Sequence, residues 1–178
     1  MRLPADPASA LARTASALVK EELDAGRAVR LTVPTASMWP TLWPGEAVLV
    51  RGVERPDELR LGDIVVGAWG KGWRAHRLIG RRCEAGQALL VTQGDNSGAV
   101  DEAWPATQLV GVVVAVRRDE REFNLQSAWA RQAGAGLAWL LRSQRMAQRA
   151  PGQLARRAVL KGLQLVVRAG AWLARRVS

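Results

Sequence analysis

Only one histidine, His76, occurs in the 178 residues, in the stretch WRAHRLIG. Upstream, PTASMWPTLWPGEAVLV places Ser37 among prolines 34, 40 and 44, which restrict the backbone and argue against a regular helix there. Downstream, VTQGDNSGAVDEAW carries Asp95 and Asn96 in a Gly-Asp-Asn turn, with Asp101 six residues after Asp95. A serine, an imidazole and a carboxylate are the parts of a nucleophilic hydrolase. The hydroxyl is a poor nucleophile unless a base takes its proton, and a neutral imidazole, with an unperturbed pKa of ~6.5, suits that work. A carboxylate on the far ring nitrogen fixes the tautomer. Chain order alone does not make a triad. Each residue also has a plainer reading: Ser37 capping a turn, His76 hydrogen-bonded on a strand, Asp95 and Asn96 shaping a loop.

The contexts together are more specific. SMWPTLWPGEAVLV, LRLGDIVV, HRLIG and GDNSGAVD occur in order at compatible spacing. The series resembles the serine peptidases of the signal peptidase I and LexA-like superfamily over about residues 28–118, most closely the signal peptidase branch with a histidine base. The resemblance implies Ser37 as nucleophile, His76 as general base and Asp101 as the orienting acid. Asp95, with Asn96 beside it, matches an acid that shapes the turn or supports the site. Thr35 stands where relatives place a hydroxyl of the oxyanion hole, the second donor being the Ser37 amide. One histidine and one cysteine argue against a metal site, and no cofactor is expected.

The departures bear on substrate. Signal peptidases of secreted proteins usually carry a membrane-spanning anchor before the serine, where this chain offers an amphipathic pattern over 7–25 with Asp6 as N-cap and Pro7 at its first position. Glu46 replaces the usual Asp after the nucleophile loop, and the Ser-x-Asp-Ser-Arg ending of the Gly-Asp-Asn block is missing. Lys71 is the only lysine near the site, and LexA-like self-cleavage needs a lysine base.

The elements that must position these residues are short and apolar. Strands are expected at 28–33, 47–53, 63–69, 73–80, 87–93 and 109–118, separated by Gly-, Pro- and Asp-containing turns. The expected fold is mainly β, of the coiled signal peptidase or LexA-like kind, with an N-terminal helix and a C-terminal helical extension. The chain divides into an amphipathic helix over 1–27, a catalytic β domain over 28–123 and a basic amphipathic helical extension over 124–178. Of eight tryptophans, Trp39 and Trp43 flank the serine and Trp69 and Trp73 precede the histidine. With Met38, the residues Trp39, Trp43 and Trp73 are candidates for an apolar floor under an extended substrate, core packing being the alternative for each.

Composition sets the remaining bounds. One cysteine, Cys83, excludes an internal disulfide and a cysteine metal cluster, is compatible with a reducing compartment, and reads as a semi-buried strand residue. Neither a secretory signal nor a run of ~20 apolar residues is visible, so the expected location is cytoplasmic, with peripheral contact at the inner membrane face as the alternative the basic tail leaves open. The net charge of +10 lies wholly in the last third: residues 125–178 hold 10 Lys+Arg and no acid. Two helices broken at Ala150-Pro151-Gly152 are expected there, the second gathering Val159, Leu160, Leu163, Val166 and Val167 on one face opposite arginines. Packing on the rest of the chain and contact with an anionic membrane surface stand level, with nucleic acid behind because no recognition motif accompanies the charge.

The reading that unites these features is a serine endopeptidase that cleaves a leader or processing segment of a peptide or protein precursor through an acyl-enzyme. A maturation peptidase acting on a small precursor fits better than general secretion. The rivals are a non-catalytic peptide-binding or membrane-docking module on the same fold, and a LexA-like self-cleaving protein.

Overall fold

The computed structural model describes residues 17–69 and 72–149, without the side chains of 144–149. The expectations placed on residues 1–16, with Asp6 and Pro7, on Lys71, on a break at 150–152 and on a second C-terminal helix lie outside the described residues.

Residues 17–24 are helical (α1). Eight strands come next: β1 Val29–Thr32, β2 Ala47–Arg51, β3 Ile64–Trp69, β4 Gly72–Glu84, β5 Gln87–Gln93, β6 Trp104–Pro105, β7 Leu109–Arg118 and β8 Arg121–Asn124, and then the helix α2, Ala128–Arg149. The strands form one sheet in the order β1-β2-β7-β3-β4-β5-β6, with β8 paired to β7, and every pairing is antiparallel. The fold is mainly β with helices at both ends of the described chain.

Side chains alternate across a strand, so the central strand β3 feeds a different apolar cluster from each of its faces. Ile64 and Val66 enter one cluster with Val48, Val50, Val113 and Met38. Val65 enters another with Leu78, Leu90, Trp104 and Val112. Because both faces are covered, the run Ile-Val-Val is apolar throughout instead of alternating. No helix among the described residues is long and apolar enough to cross a membrane.

Strand β4 is longer than its apolar core implies. Its first half pairs with β3, from Trp69↔Gly72 to Ile64↔Arg77. Its second half pairs with β5, from Arg77↔Gln93 to Glu84↔Gln87. The polar end Arg81-Arg82-Cys83-Glu84 is held by this hairpin and by Arg81, which donates to the Pro56 and Leu59 carbonyls, and Cys83 is exposed rather than semi-buried. Strands β6 and β8 are additions to the expected six.

The helix α2 is part of this core. Ala138 and Leu141 are buried against Ile79 and Val91 of the sheet. Gly62, at φ +99°, touches the same helix: a Cβ on it would stand 2.4 Å from the Gly134 carbonyl carbon. Only glycine tolerates both that backbone conformation and that approach. The start of the basic segment is therefore docked on the sheet, while the apolar face over 159–177, for which packing and membrane contact are the alternatives, lies outside the described residues.

Candidate active site

Two loops and one strand bring the site together. Ser37 sits in a 3₁₀ turn, Ala36–Met38, between β1 and β2. His76 belongs to β4, opposite Val65 of β3. Asp101 lies in the loop from β5 to β6, where its N–H donates to the Thr92 carbonyl at 2.9 Å and folds the loop back onto the strand. The Gly-Asp-Asn turn fastens the serine loop: Asn96 N–H donates to the Ser37 carbonyl at 2.9 Å, and its side-chain amide reaches the Ala36 carbonyl at 3.3 Å.

The side chains meet in a line. His76 Nε2 is 3.2 Å from Ser37 Oγ, and His76 Nδ1 is 2.6 Å from Asp101 Oδ2. The Thr35 hydroxyl lies 3.2 Å from Ser37 Oγ. Ser37 is half-buried, whereas His76 is 7% exposed. The structure thus brings Ser37, His76, Asp101 and Thr35 from distant parts of the chain into one cluster.

Burial pushes the Asp101 carboxyl up, but hydrogen bonds from His76 and Thr92 and the charges of His76 and Arg74 outweigh it and hold the group below its ordinary value. An ionised Asp101 accepts only, so Nδ1 of His76 must carry the hydrogen. Nε2 is then the acceptor in the neutral ring, facing the serine hydroxyl. The geometry thus selects the tautomer that proton abstraction requires.

The sequence assigns no role to four supporting residues, Thr92, Trp104, Arg74 and Arg77. Thr92 donates to Asp101 Oδ2 at 2.6 Å and itself accepts the indole N–H of Trp104 at 2.9 Å. Arg74 approaches Asp101 Oδ1 at 3.2 Å and stacks on Trp69, 4.1 Å from the ring centroid. Arg74 and His76 share a strand face two residues apart, a spacing that a period-2 reading of WRAHRLIG makes visible. Trp69, Trp104 and Val65 close around His76 and Thr92, leaving no space for a water molecule between them.

Arg77 is the fourth. It is 2% exposed and forms a two-pronged pair with Asp95, Nε to Oδ1 at 2.7 Å and Nη2 to Oδ2 at 2.6 Å. It also donates to the Gly62 carbonyl at 2.7 Å, and Thr41 of the serine loop donates to Asp95 at 2.5 Å. Asp95 therefore binds a guanidinium and does not face the histidine. One buried ion pair ties the serine loop, the Gly-Asp-Asn turn and the α2 contact together. Glu46 pairs with Arg118 at 2.5 Å and caps its own turn by accepting the Trp43 N–H at 2.8 Å.

The expected apolar floor is corrected in two places. Met38 is 1% exposed and belongs to the core. Trp73 packs, half-buried, against that same core cluster, on the side of β4 opposite His76, because strand neighbours an odd number apart face opposite ways. Trp39 and Trp43 remain at the surface of the serine loop, set edge to face with centroids 6.2 Å apart. Among the described residues no three His, Cys, Asp or Glu side chains converge as metal ligands would.

No protein-family model matches the chain, and neither does any curated protein sequence.

Proposed function

We propose that the protein is a serine endopeptidase of the signal peptidase-like type, cleaving a leader or processing segment of a precursor. The observation that carries the reading is the continuous line Asp101–His76–Ser37, at 2.6 and 3.2 Å. In it, His76 Nε2 takes the Ser37 proton as Oγ attacks the scissile carbonyl carbon. The tetrahedral oxyanion forms, and its collapse breaks the C–N bond, with His76 returning the proton to the departing amine. Water, activated by the same nitrogen, then attacks the ester and frees Ser37. The imidazolium that exists between these steps is stabilised by the Asp101 carboxylate.

The oxyanion donors in this proposal are the Ser37 amide, in the first turn after Thr35, and the Thr35 hydroxyl. Thr35 contacts the nucleophile itself at 3.2 Å, so its hydroxyl must swing from Oγ to the oxyanion during attack. Trp39 and Trp43 give an extended substrate an apolar surface next to the nucleophile. Arg74, paired with Asp101 beside the histidine, supports the ionised acid rather than binding substrate.

The test uses the full chain with a β-lactam-type serine-acylating probe and, separately, a degenerate peptide library. A covalent adduct mapped to Ser37 by mass spectrometry, absent from Ser37→Ala, is the expected result. A folded wild-type protein that neither acquires the adduct nor cleaves the library would overturn the proposal and leave the binding-module reading in its place.

A further inference from the structure

The helix α2 presents two unlike faces. Gly134, Ala138 and Leu141 are buried toward the sheet. At 3.6 residues per turn the opposite sector holds Trp129, Gln132, Gly136, Trp139 and Ser143, without a single charge. The outward face of a surface helix ordinarily carries the charged residues. Here the charged residues of α2 are four arginines, and by helical register Arg131, Arg142 and Arg149 line up along one flank. Trp129 and Trp139 are 63% and 66% exposed, the most exposed large apolar side chains among the described residues.

Two features of this face point to the same partner. An indole has an apolar body and one polar N–H, and it settles at the boundary between water and hydrocarbon. The charge that α2 itself carries has one sign, for no carboxylate side chain occurs after Glu122 while 10 Lys+Arg lie in 125–178, and the carboxylates that approach it, Glu58 and Asp63, share a cavity with Arg131 at the start of the helix. We propose that the outer face of α2 is a lipid-docking surface, resting in the plane of an anionic bilayer with Trp129 and Trp139 inserted. The arginine flank then lies at the level of the phosphate headgroups. A nucleic-acid backbone would satisfy the arginines but offers no apolar layer to two tryptophans on an uncharged face. Lipid docking here is independent of the peptidase reading, since it uses no residue of the candidate active site.

Co-sedimentation of the full chain and its W129A/W139A variant tests it, with phosphatidylglycerol-containing vesicles, phosphatidylcholine vesicles and duplex DNA. The wild type is expected to prefer the anionic vesicles, and the variant to bind them about tenfold or more weakly. Raising salt from 0.1 to 1 M shortens the Debye length from ~10 to ~3 Å. That change should leave a salt-resistant part of binding in the wild type and none in the variant. Equal binding by both proteins, or a preference for DNA, would overturn the proposal. So would a lowered Tm of the variant with unchanged vesicle binding, which would assign the face to another part of the same chain.

Discussion

The indole N–H of Trp104 donates to the Thr92 hydroxyl at 2.9 Å, and this fixes where that hydroxyl can send its own hydrogen. With its lone pair engaged, Thr92 donates to Asp101 Oδ2, 2.6 Å away, the same oxygen that receives His76 Nδ1. Thr92 is thus a positioning residue for the orienting acid. Thr92→Val keeps the shape and removes the donor, leaving the buried Trp104 N–H without its acceptor at a cost of ~1–3 kcal/mol. The expected outcome is a lower Tm and a slower acylation of Ser37, with Thr92→Ser restoring both. Acylation at the wild-type rate in Thr92→Val would remove Thr92 from the working site.

Gly94 is held to glycine by space. A Cβ there would stand 2.6 Å from the Ser37 carbonyl oxygen and 3.1 Å from His76 Nε2. The first neighbour is backbone, so the serine loop itself must move away. Gly94→Ala is therefore predicted to fold while losing at least ~100-fold in Ser37 acylation, since a misplacement of about 1 Å costs that much. An active Gly94→Ala protein would show that the loop adapts freely.

The proposed nucleophile and the proposed base make the sharpest contrast. Removing a general base costs roughly 10²–10⁴-fold, so His76→Ala should acylate that much more slowly, and Ser37→Ala not at all at that position. Both should retain the far-UV circular dichroism of the wild type. Lys71→Ala should keep full activity. A loss in Lys71→Ala with activity kept in His76→Ala would exchange the two assignments.

How much of this is legible in the sequence depends on how local each signal is. The strands with Val, Leu and Ile runs are legible because burial on one or both faces writes a pattern into a few neighbouring residues. β6 is not, being the two residues Trp104–Pro105, and neither is β8, whose Arg-Glu-Phe-Asn has no apolar alternation. Ser37, His76 and Asp101 are legible through their contexts, but Thr92 and Trp104 carry no motif and acquire a role only through pairing across the sheet. Arg77 reads as a surface residue because arginine is rarely buried, and only its long-range partner Asp95 reverses that. Met38 and Trp73 do not form a floor because closeness in sequence to Ser37 and His76 says nothing about which face a side chain takes.

The Arg77–Asp95 pair should behave as a structural clasp. Its side chains are 3% and 1% exposed, so removing one partner leaves a buried charge uncompensated, at a cost of ~3–5 kcal/mol. Asp95→Asn and Arg77→Met are each expected to lower the urea midpoint strongly. The double variant should be less destabilised than the two single effects added, because neither charge is then stranded. Strict additivity would contradict the coupling.

Asp101 ties the site to pH. Its carboxyl titrates below the ordinary value in the folded chain, whereas an unfolded aspartate titrates at ~3.9. A carboxyl whose folded pKa is depressed binds its proton less readily when folded, so unfolding takes up protons in the window between the two values. The stability it contributes is fully present above the unfolded pKa and is lost as pH falls through the folded one. Asp101→Asn cannot titrate and has no such loss. The Tm difference between wild type and Asp101→Asn should therefore shift below about pH 4, as the wild type gives up the Asp101 contribution; between about pH 7 and 5 the difference also carries whatever charge His76 gains, since Asp101 is its partner. Thermal scans of both proteins from pH 7 to pH 2 read this directly. A difference that stayed constant below about pH 5 would mean that the Asp101 carboxyl is not held ionised by His76, Thr92 and Arg74.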